Sequence, residues 1–298
     1  MVKKIAAAAF AIICCSCDMK RNAHADILTS FFPMQIFALN VTAGTDILPL
    51  LLLPPELGCP HDYALTPGDV ERLSTAKAVI INGTMESFIT PEKMKAVNPL
   101  LRIIDVSKDV TLLRDDGDAH EGHAGGYNPH TWVSPRIAAG QVRAMGRSLA
   151  VLYPEKAALL YANADRYAKR LDLLAAEMRS SFAALPSRDI ITFHDAFAYF
   201  ARDLGLSVVG VVELDPGTSP SAKHIMGIAA LARRHGVRTI FAEVQYPDAV
   251  ARAVAAEANA RILILDPVAS GKNASPGYYE AVMQRNAAVI TEAMRGQK

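Results

Sequence analysis

The chain has 298 residues, of which 51% are apolar and 20% charged, with a formal net charge of +1. That is enough apolar chain for a large core divided between two domains, and it excludes a disordered protein. The near balance of charge gives no support to nucleic-acid binding.

The first 25 residues read as a targeting segment. Lys3 and Lys4 precede an apolar stretch over residues 5–17, and a polar region ends in Ala23-His24-Ala25, an A-x-A cleavage pattern. The apolar stretch is too short to span a bilayer. Cleavage after Ala25 removes Lys3, Lys4, Lys20 and Arg21 against one acid, Asp18, so the mature chain carries −2 where the whole chain carries +1. It also removes Cys14, Cys15 and Cys17, leaving Cys59 as the one mature thiol and no intrachain disulfide. In a competing form Cys15 or Cys17 is lipidated and becomes the mature N-terminus. The residues before both cysteines are a poor match to the usual lipoprotein lead-in, so a soluble periplasmic protein is the expectation.

Beyond the leader, short β-branched runs alternate with helical patterns, and no further segment is apolar enough for a membrane. Strands are expected at 27–31, 47–53, 78–82, 102–106, 190–193, 207–212, 239–244 and 262–265. Such alternation predicts an α/β protein with mostly parallel sheets. Thr66-Pro67 supplies a helix cap and a first-turn proline.

One segment breaks the alternation. From 154 to 185 there is no glycine and no internal proline, and Leu160, Ala164, Tyr167, Leu171, Leu174, Met178, Phe182 and Leu185 recur at steps of three or four until Pro186. This predicts one long amphipathic helix of roughly 48 Å at about 1.5 Å per residue. Its stripe mixes small Ala with bulky Tyr and lacks the repeating Leu seam of a coiled coil. The expected organisation is therefore a leader at 1–25, an N-terminal α/β lobe at 26–153, a rigid linking helix at 154–185 and a C-terminal α/β lobe at 186–298.

Four polar residues stand where apolar segments end. "LLLLPPELGCPHDYALTP" delivers His61, "GGYNPHTWVSP" presents His130, "ITFHDAF" presents His194 and "ILILDP" presents Asp266. In parallel sheets ligands bind at the C-terminal strand edge. Each residue alone is more often a turn, a cap or a satisfied core group. Together they fall two per lobe, so a cleft between lobes could gather three imidazoles and one carboxylate around one cation, a set that suits zinc.

These segments resemble those of the zinc- and manganese-specific solute-binding proteins of ABC transporters, the TroA-like and ZnuA-like group. Pro60-His61-Asp62-Tyr63 with Thr66-Pro67 is similar to the family's P-H-x-Y-x-x-T-P segment, and Asn128-Pro129-His130-Thr131-Trp132 resembles its N/D-P-H-x-W segment. His194-Asp195-Ala196-Phe197 with Tyr199 looks like the H-x-A-F-x-Y segment, and Leu265-Asp266-Pro267 like the L-D-P segment. The resemblance spans essentially the whole mature chain. It implies two α/β lobes bridged by a rigid helix and His61, His130, His194 and Asp266 as metal ligands. The implied function is capture of Zn2+, with Mn2+ as the alternative, and delivery to a membrane permease. A monomer is expected. Cys59 and Leu65 depart from the family pattern; Cys59, two residues from a ligand, is expected to be inert.

Between the first two ligands, "RDDGDAHEGHAGGYNPH" adds His120 and His123. Zinc-type relatives carry His- and acid-rich loops here, which implies a secondary collecting site; a solvated glycine-rich loop is the alternative. "HEGH" is not the zinc-protease motif, whose histidines are four apart on a helix. A secreted zinc hydrolase is the competing function class, and it would need an open metal position and a general base. Glu213 and Glu243 are available for that role, but each sits in or beside a buried-strand pattern. A pure adhesin would need no metal at all. The expectation is a binding protein and not an enzyme.

Overall fold

The computed structural model describes residues 26–61, 63–114, 126–212, 220–243 and 248–295. The leader, with Cys15 and Cys17, lies outside them. Strands β1 (Ile27–Thr29), β2 (Pro49–Leu51), β3 (Ala78–Ile81) and β4 (Arg102–Asp105) alternate with helices α1 (Phe32–Val41), α2 (Pro67–Thr75) and α3 (Pro91–Val97). Helices α4 (Pro135–Leu152) and α5 (Ala157–Ala183) follow. The second half alternates β5 (Asp189–Thr192), α6 (Ala198–Leu204), β6 (Ser207–Val211), α7 (Ala222–His235), β7 (Thr239–Ala242), α8 (Asp248–Ala258), β8 (Arg261–Ile264) and α9 (Tyr278–Arg295).

Each half contributes one sheet of four parallel strands, ordered β2-β1-β3-β4 and β6-β5-β7-β8. All eight expected strands are present; β5 and β8 keep the expected length and begin one residue earlier, and the others are shorter than the expected runs. The central strands are the most buried: β1 and β3 have no exposed residue, as covering by helices on both faces requires. Each sheet has the second strand of its half at one edge, so the strand order reverses beside that half's first strand, the place where C-terminal strand ends leave a crevice in sheets of this kind.

The long helix is shorter than expected. Residues 154–156 form a turn of 3-10 helix, and the α-helix runs Ala157–Ala183, about 40 Å at 1.5 Å per residue. It ends short of Pro186 because the residue before a proline is disfavoured in the α region. Its stripe of Leu160, Ala164, Tyr167, Leu171, Leu174, Met178 and Phe182 is buried. Gly146 of α4 lets the two helices approach closely: a Cβ there would lie 2.4 Å from the Ala164 Cβ.

One apolar core runs through residues of both halves, including Ile27, Phe37, Trp132, Leu171, Phe200 and Tyr279. A second, smaller core lies within the second half, around Phe193, Ile228 and Val254. Trp132 connects the two halves: its ring meets Phe31 edge-on at 4.8 Å, its Nε1 donates to Pro267 O at 2.8 Å, and its own carbonyl accepts from Tyr279 OH at 2.8 Å. Ser134 Oγ donates to Asp203 Oδ2 at 2.6 Å, a further buried bond between the halves. Packed aromatic rings and buried polar pairs thus join the two halves.

Candidate metal centre

His61 stands in the loop between β2 and α2. That loop is stiffened at both ends. Asp69 Oδ2 accepts from Thr66 N at 2.8 Å while Thr66 Oγ1 accepts from Asp69 N, a capping box at the start of α2. Tyr63 OH donates to the same Asp69 carboxylate at 2.7 Å. Farther back, Pro55 O accepts from Gly271 N at 2.9 Å, tying the loop to the second half.

His130 immediately precedes a turn of 3-10 helix, Thr131–Val133, that leads into α4. Its loop rests on a buried polar network built from residues just past the first sheet's strand ends. Asn82, after β3, donates from Nδ2 to Pro129 O at 2.8 Å, and its Oδ1 accepts from Thr131 Oγ1 at 2.6 Å and Gln141 Nε2 at 2.8 Å. Ser107, after β4, lies 3.1 Å from Thr131 Oγ1. Beneath this, Glu86 accepts from Ser30 Oγ at 2.5 Å and from the backbone N–H groups of Asn82 and Gly83 at 2.9 Å each. Burial pushes its carboxyl up to about 7 although these bonds oppose the shift. Gly83 is required at this corner, because it has φ +97° and a Cβ would meet the Asp105 carboxylate at 2.5 Å.

His194 leaves β5 and precedes another 3-10 turn, Asp195–Phe197. The three imidazoles converge. His130 Nε2 lies 3.2 Å from His61 Nε2 and 3.2 Å from His194 Nε2, and the ring centroids are 4.9 to 5.6 Å apart. His130 and His194 are buried, and His61 is partly exposed.

Asn128 fixes the chemistry of this cluster. Its Oδ1 accepts from His130 N at 2.9 Å and faces His130 Nδ1 at 3.1 Å. Its Nδ2 donates to the Asp195 carbonyl and carboxylate, both at 2.7 Å. Two acceptors against Nδ2 and a backbone N–H against Oδ1 settle which end of the amide is which. An amide oxygen can only accept, so His130 carries its proton on Nδ1 and turns the Nε2 lone pair toward the other two rings. One lone pair cannot serve two rings well as a hydrogen-bond acceptor, whereas it can serve one cation. Tetrahedral zinc with bonds of about 2.0–2.1 Å needs ligand nitrogens about 3.3 Å apart, close to the observed 3.2 Å.

Electrostatics point the same way. Burial, and then the neighbouring His194 and His61, hold His130 well below the usual histidine range. Burial, and then His61, lower His194 to about 3. Both rings are therefore neutral at physiological pH, the state a metal needs.

Asp266, the fourth expected ligand, follows β8. It is partly buried, its Oδ1 accepts from Val268 N at 2.7 Å, and burial raises its carboxyl. Among the described residues the metal-ligating atoms that all lie within 4.8 Å of one another belong to Cys59, His61 and His130. Burial pushes the Cys59 thiol well up, and the Glu243 carboxylate, itself buried after β7, adds to the shift. His120, His123 and Glu213 lie outside the described residues. The base of the histidine-bearing loop is formed, since Arg114 and Tyr127 make an antiparallel bridge, and Leu113 N donates to Tyr199 OH of the second half at 2.9 Å.

Sequence reasoning singled out the three histidines that the fold brings together and missed their supports. Asn82 and Ser107 leave their strands as His194 does, and the same rule of polar residues at strand exits points to them. Asn128 lies inside a quoted motif, but its orienting role depends on Asp195, 67 residues away.

Comparison with known proteins identifies the family. Residues 27–293 match the family model of ZnuA, described as zinc-uptake complex component A, periplasmic. The high-affinity zinc uptake system protein ZnuA of Yersinia pestis is 32% identical over 272 residues, which cover 84% of this chain and 85% of that protein. Among solved structures, a crystal structure of ZnuA superposes with a TM-score of 0.77 at 28% identity, covering 90% of this chain and 98% of that one. The solute-binding protein FpvC of Pseudomonas aeruginosa, in complex with Mn2+, superposes at 0.78 with 27% identity, covering 91% and 98%. The chain belongs to the ZnuA family of TroA-like metal-binding solute-binding proteins, periplasmic components of zinc uptake and not a family of enzymes.

Proposed function

We propose that this protein captures a divalent transition-metal ion in the periplasm, Zn2+ in preference to Mn2+, and delivers it to the membrane permease of an ABC importer. The observation that carries the reading is that His130 Nε2 lies 3.2 Å from both His61 Nε2 and His194 Nε2, so that three imidazoles meet at one point. Nitrogen-rich ligation favours zinc over manganese by ligand preference and by the affinity order. The names of relatives support zinc, while FpvC has been seen with manganese.

The role is one of binding. Three imidazoles and one anionic donor fill a tetrahedron and leave no position for an attacking water. The sequence motif assigns the anionic position to Asp266. In this reading the regions 26–153 and 186–298 act as two lobes held by the helix at 154–185, and the ion sits between them.

The test is elemental analysis of protein purified without added metal, followed by competition between zinc and manganese on the stripped form. Zinc in the purified protein and preference for zinc in competition are expected. A preference for manganese, or equal zinc affinity in His130→Ala, would overturn the reading.

A further inference from the structure

Asp266 has a support of its own, on a helix that no site motif includes. The last ladder bond of β8 runs from Leu265 N to Ala242 O at 2.9 Å. One residue on, the chain has left the sheet, and a backbone largely shut off from water there needs other partners. Asn286 of α9, 3% exposed, supplies them: its Oδ1 accepts from Asp266 N at 3.0 Å and its Nδ2 donates to Asp266 O at 2.7 Å. An N–H against Oδ1 and a carbonyl against Nδ2 fix which end of this amide is which. The side chain thus does for Asp266 what a neighbouring strand would do, and holds one residue at two points.

The segment that follows is held as firmly. Pro267 O accepts from the indole of Trp132, two residues from His130, and Val268 N donates to Asp266 Oδ1 at 2.7 Å. Val268 is fully buried at φ +61°, a left-handed backbone that β-branched residues rarely adopt. Such strain persists only where the surroundings over-determine it, and it gathers at ligand sites.

We infer that Asn286 is a positioning residue of the metal site: it holds Asp266 in the place from which its carboxylate serves the ion, as Asn128 holds His130. The inference rests on the proposed metal capture, with Asp266 in the anionic position. Loss of Asn286 leaves the Asp266 N–H and C=O without these partners, and ordering the carboxylate then becomes a cost of binding zinc.

The test is a double-mutant cycle on the full chain, with zinc affinity of the stripped protein read by chelator competition and stability of the metal-free protein by thermal unfolding. Asn286→Ala is expected to bind zinc at least about tenfold more weakly than wild type, and Asp266→Ala more weakly still. Adding Asn286→Ala to Asp266→Ala is expected to change zinc affinity by less than about twofold, while it still lowers the unfolding temperature. A residue that served the fold alone would weaken zinc equally in both backgrounds. That equal loss, wild-type affinity in Asn286→Ala, or wild-type affinity in Asp266→Ala would each overturn the proposal. Asn286→Leu keeps the side-chain bulk on the buried face of α9 and is held to the same outcomes where the alanine variant does not fold. Failure of the capture function is recognised separately, because wild-type protein then gives no tight zinc isotherm at all, and this inference falls with it.

Discussion

Replacing Asn128 with Ala separates orientation of a ligand from ligation itself, because Asn128 does not reach the cation position. In the native protein its Oδ1 holds His130 Nδ1–H and the His130 backbone N–H, and its Nδ2 holds Asp195. Alanine removes all four interactions. Loss of a group that orients a metal-binding histidine costs about 10–100-fold in affinity, or about 1.4–2.7 kcal/mol of binding free energy. The buried His130 N–H, deprived of its acceptor, adds about 1–3 kcal/mol of lost stability. The two effects are read by different assays: zinc affinity by competition with a chelator, and stability by thermal unfolding of the metal-free protein. Asn128→Asp serves as the contrasting variant. A carboxylate still accepts from His130, so zinc affinity is largely kept, but it faces the Asp195 carboxylate at the position where an N–H now donates, so stability falls. Wild-type zinc affinity in Asn128→Ala, whatever its stability, would refute the claim that this amide sets the tautomer of His130.

Glu86 predicts a pH dependence of the metal-free protein. Its folded-state value, about 7, lies above its ordinary 4.5. The native state thus holds a proton that the unfolded chain releases, and stability present below pH 4.5 is lost as pH rises toward 7, by about 3 kcal/mol in all. Denaturant unfolding of wild type and Glu86→Gln at pH 5 and pH 8 should give a difference that changes with pH; a constant difference would contradict it. Zinc titration of stripped protein should change the emission of Trp132, whose ring centroid is 5.3 Å from that of His130, and flat fluorescence alongside calorimetric binding would place the ion elsewhere. Deleting residues 117–126 should leave tight binding of one ion intact, since the Arg114–Tyr127 bridge already closes the base of that loop. Loss of the tight site on deletion would make His120 or His123 a primary ligand.

The fold was legible where local chemistry and tertiary demand agree. Runs such as Ala78–Ile81 are apolar at every position because β3 lies inside its sheet, and Gly, Pro and charged residues bound them clearly. Agreement weakened at edges. The run at 47–53 pairs only over Pro49–Leu51, because β2 is an edge strand with β1 as its one neighbour. The helix at 154–185 lost its first turn to 3-10 geometry at Pro154–Lys156: Lys156, at the N-cap of α5, offers no side-chain oxygen to hold the first amides. Periodicity describes which face of a helix is buried, and it carries little information about where the backbone first closes its hydrogen bonds.

The site was legible in part for a related reason. A histidine at the end of an apolar strand or in a proline-bounded loop is conspicuous one residue at a time, so His61, His130 and His194 stand out before any fold is known. The supports are conspicuous only in pairs. Asn128 matters because Asp195 faces it, and Asn82 because Thr131 and Gln141 share its oxygen; no window of sequence contains both partners. The same limit governs the fourth donor. Asp266 follows a buried strand in the same manner as His194, so pattern treats them alike. Their surroundings differ: β8 is the edge strand beyond β7, whereas β5 lies inside the sheet, and one oxygen of the Asp266 carboxylate already accepts from Val268 N.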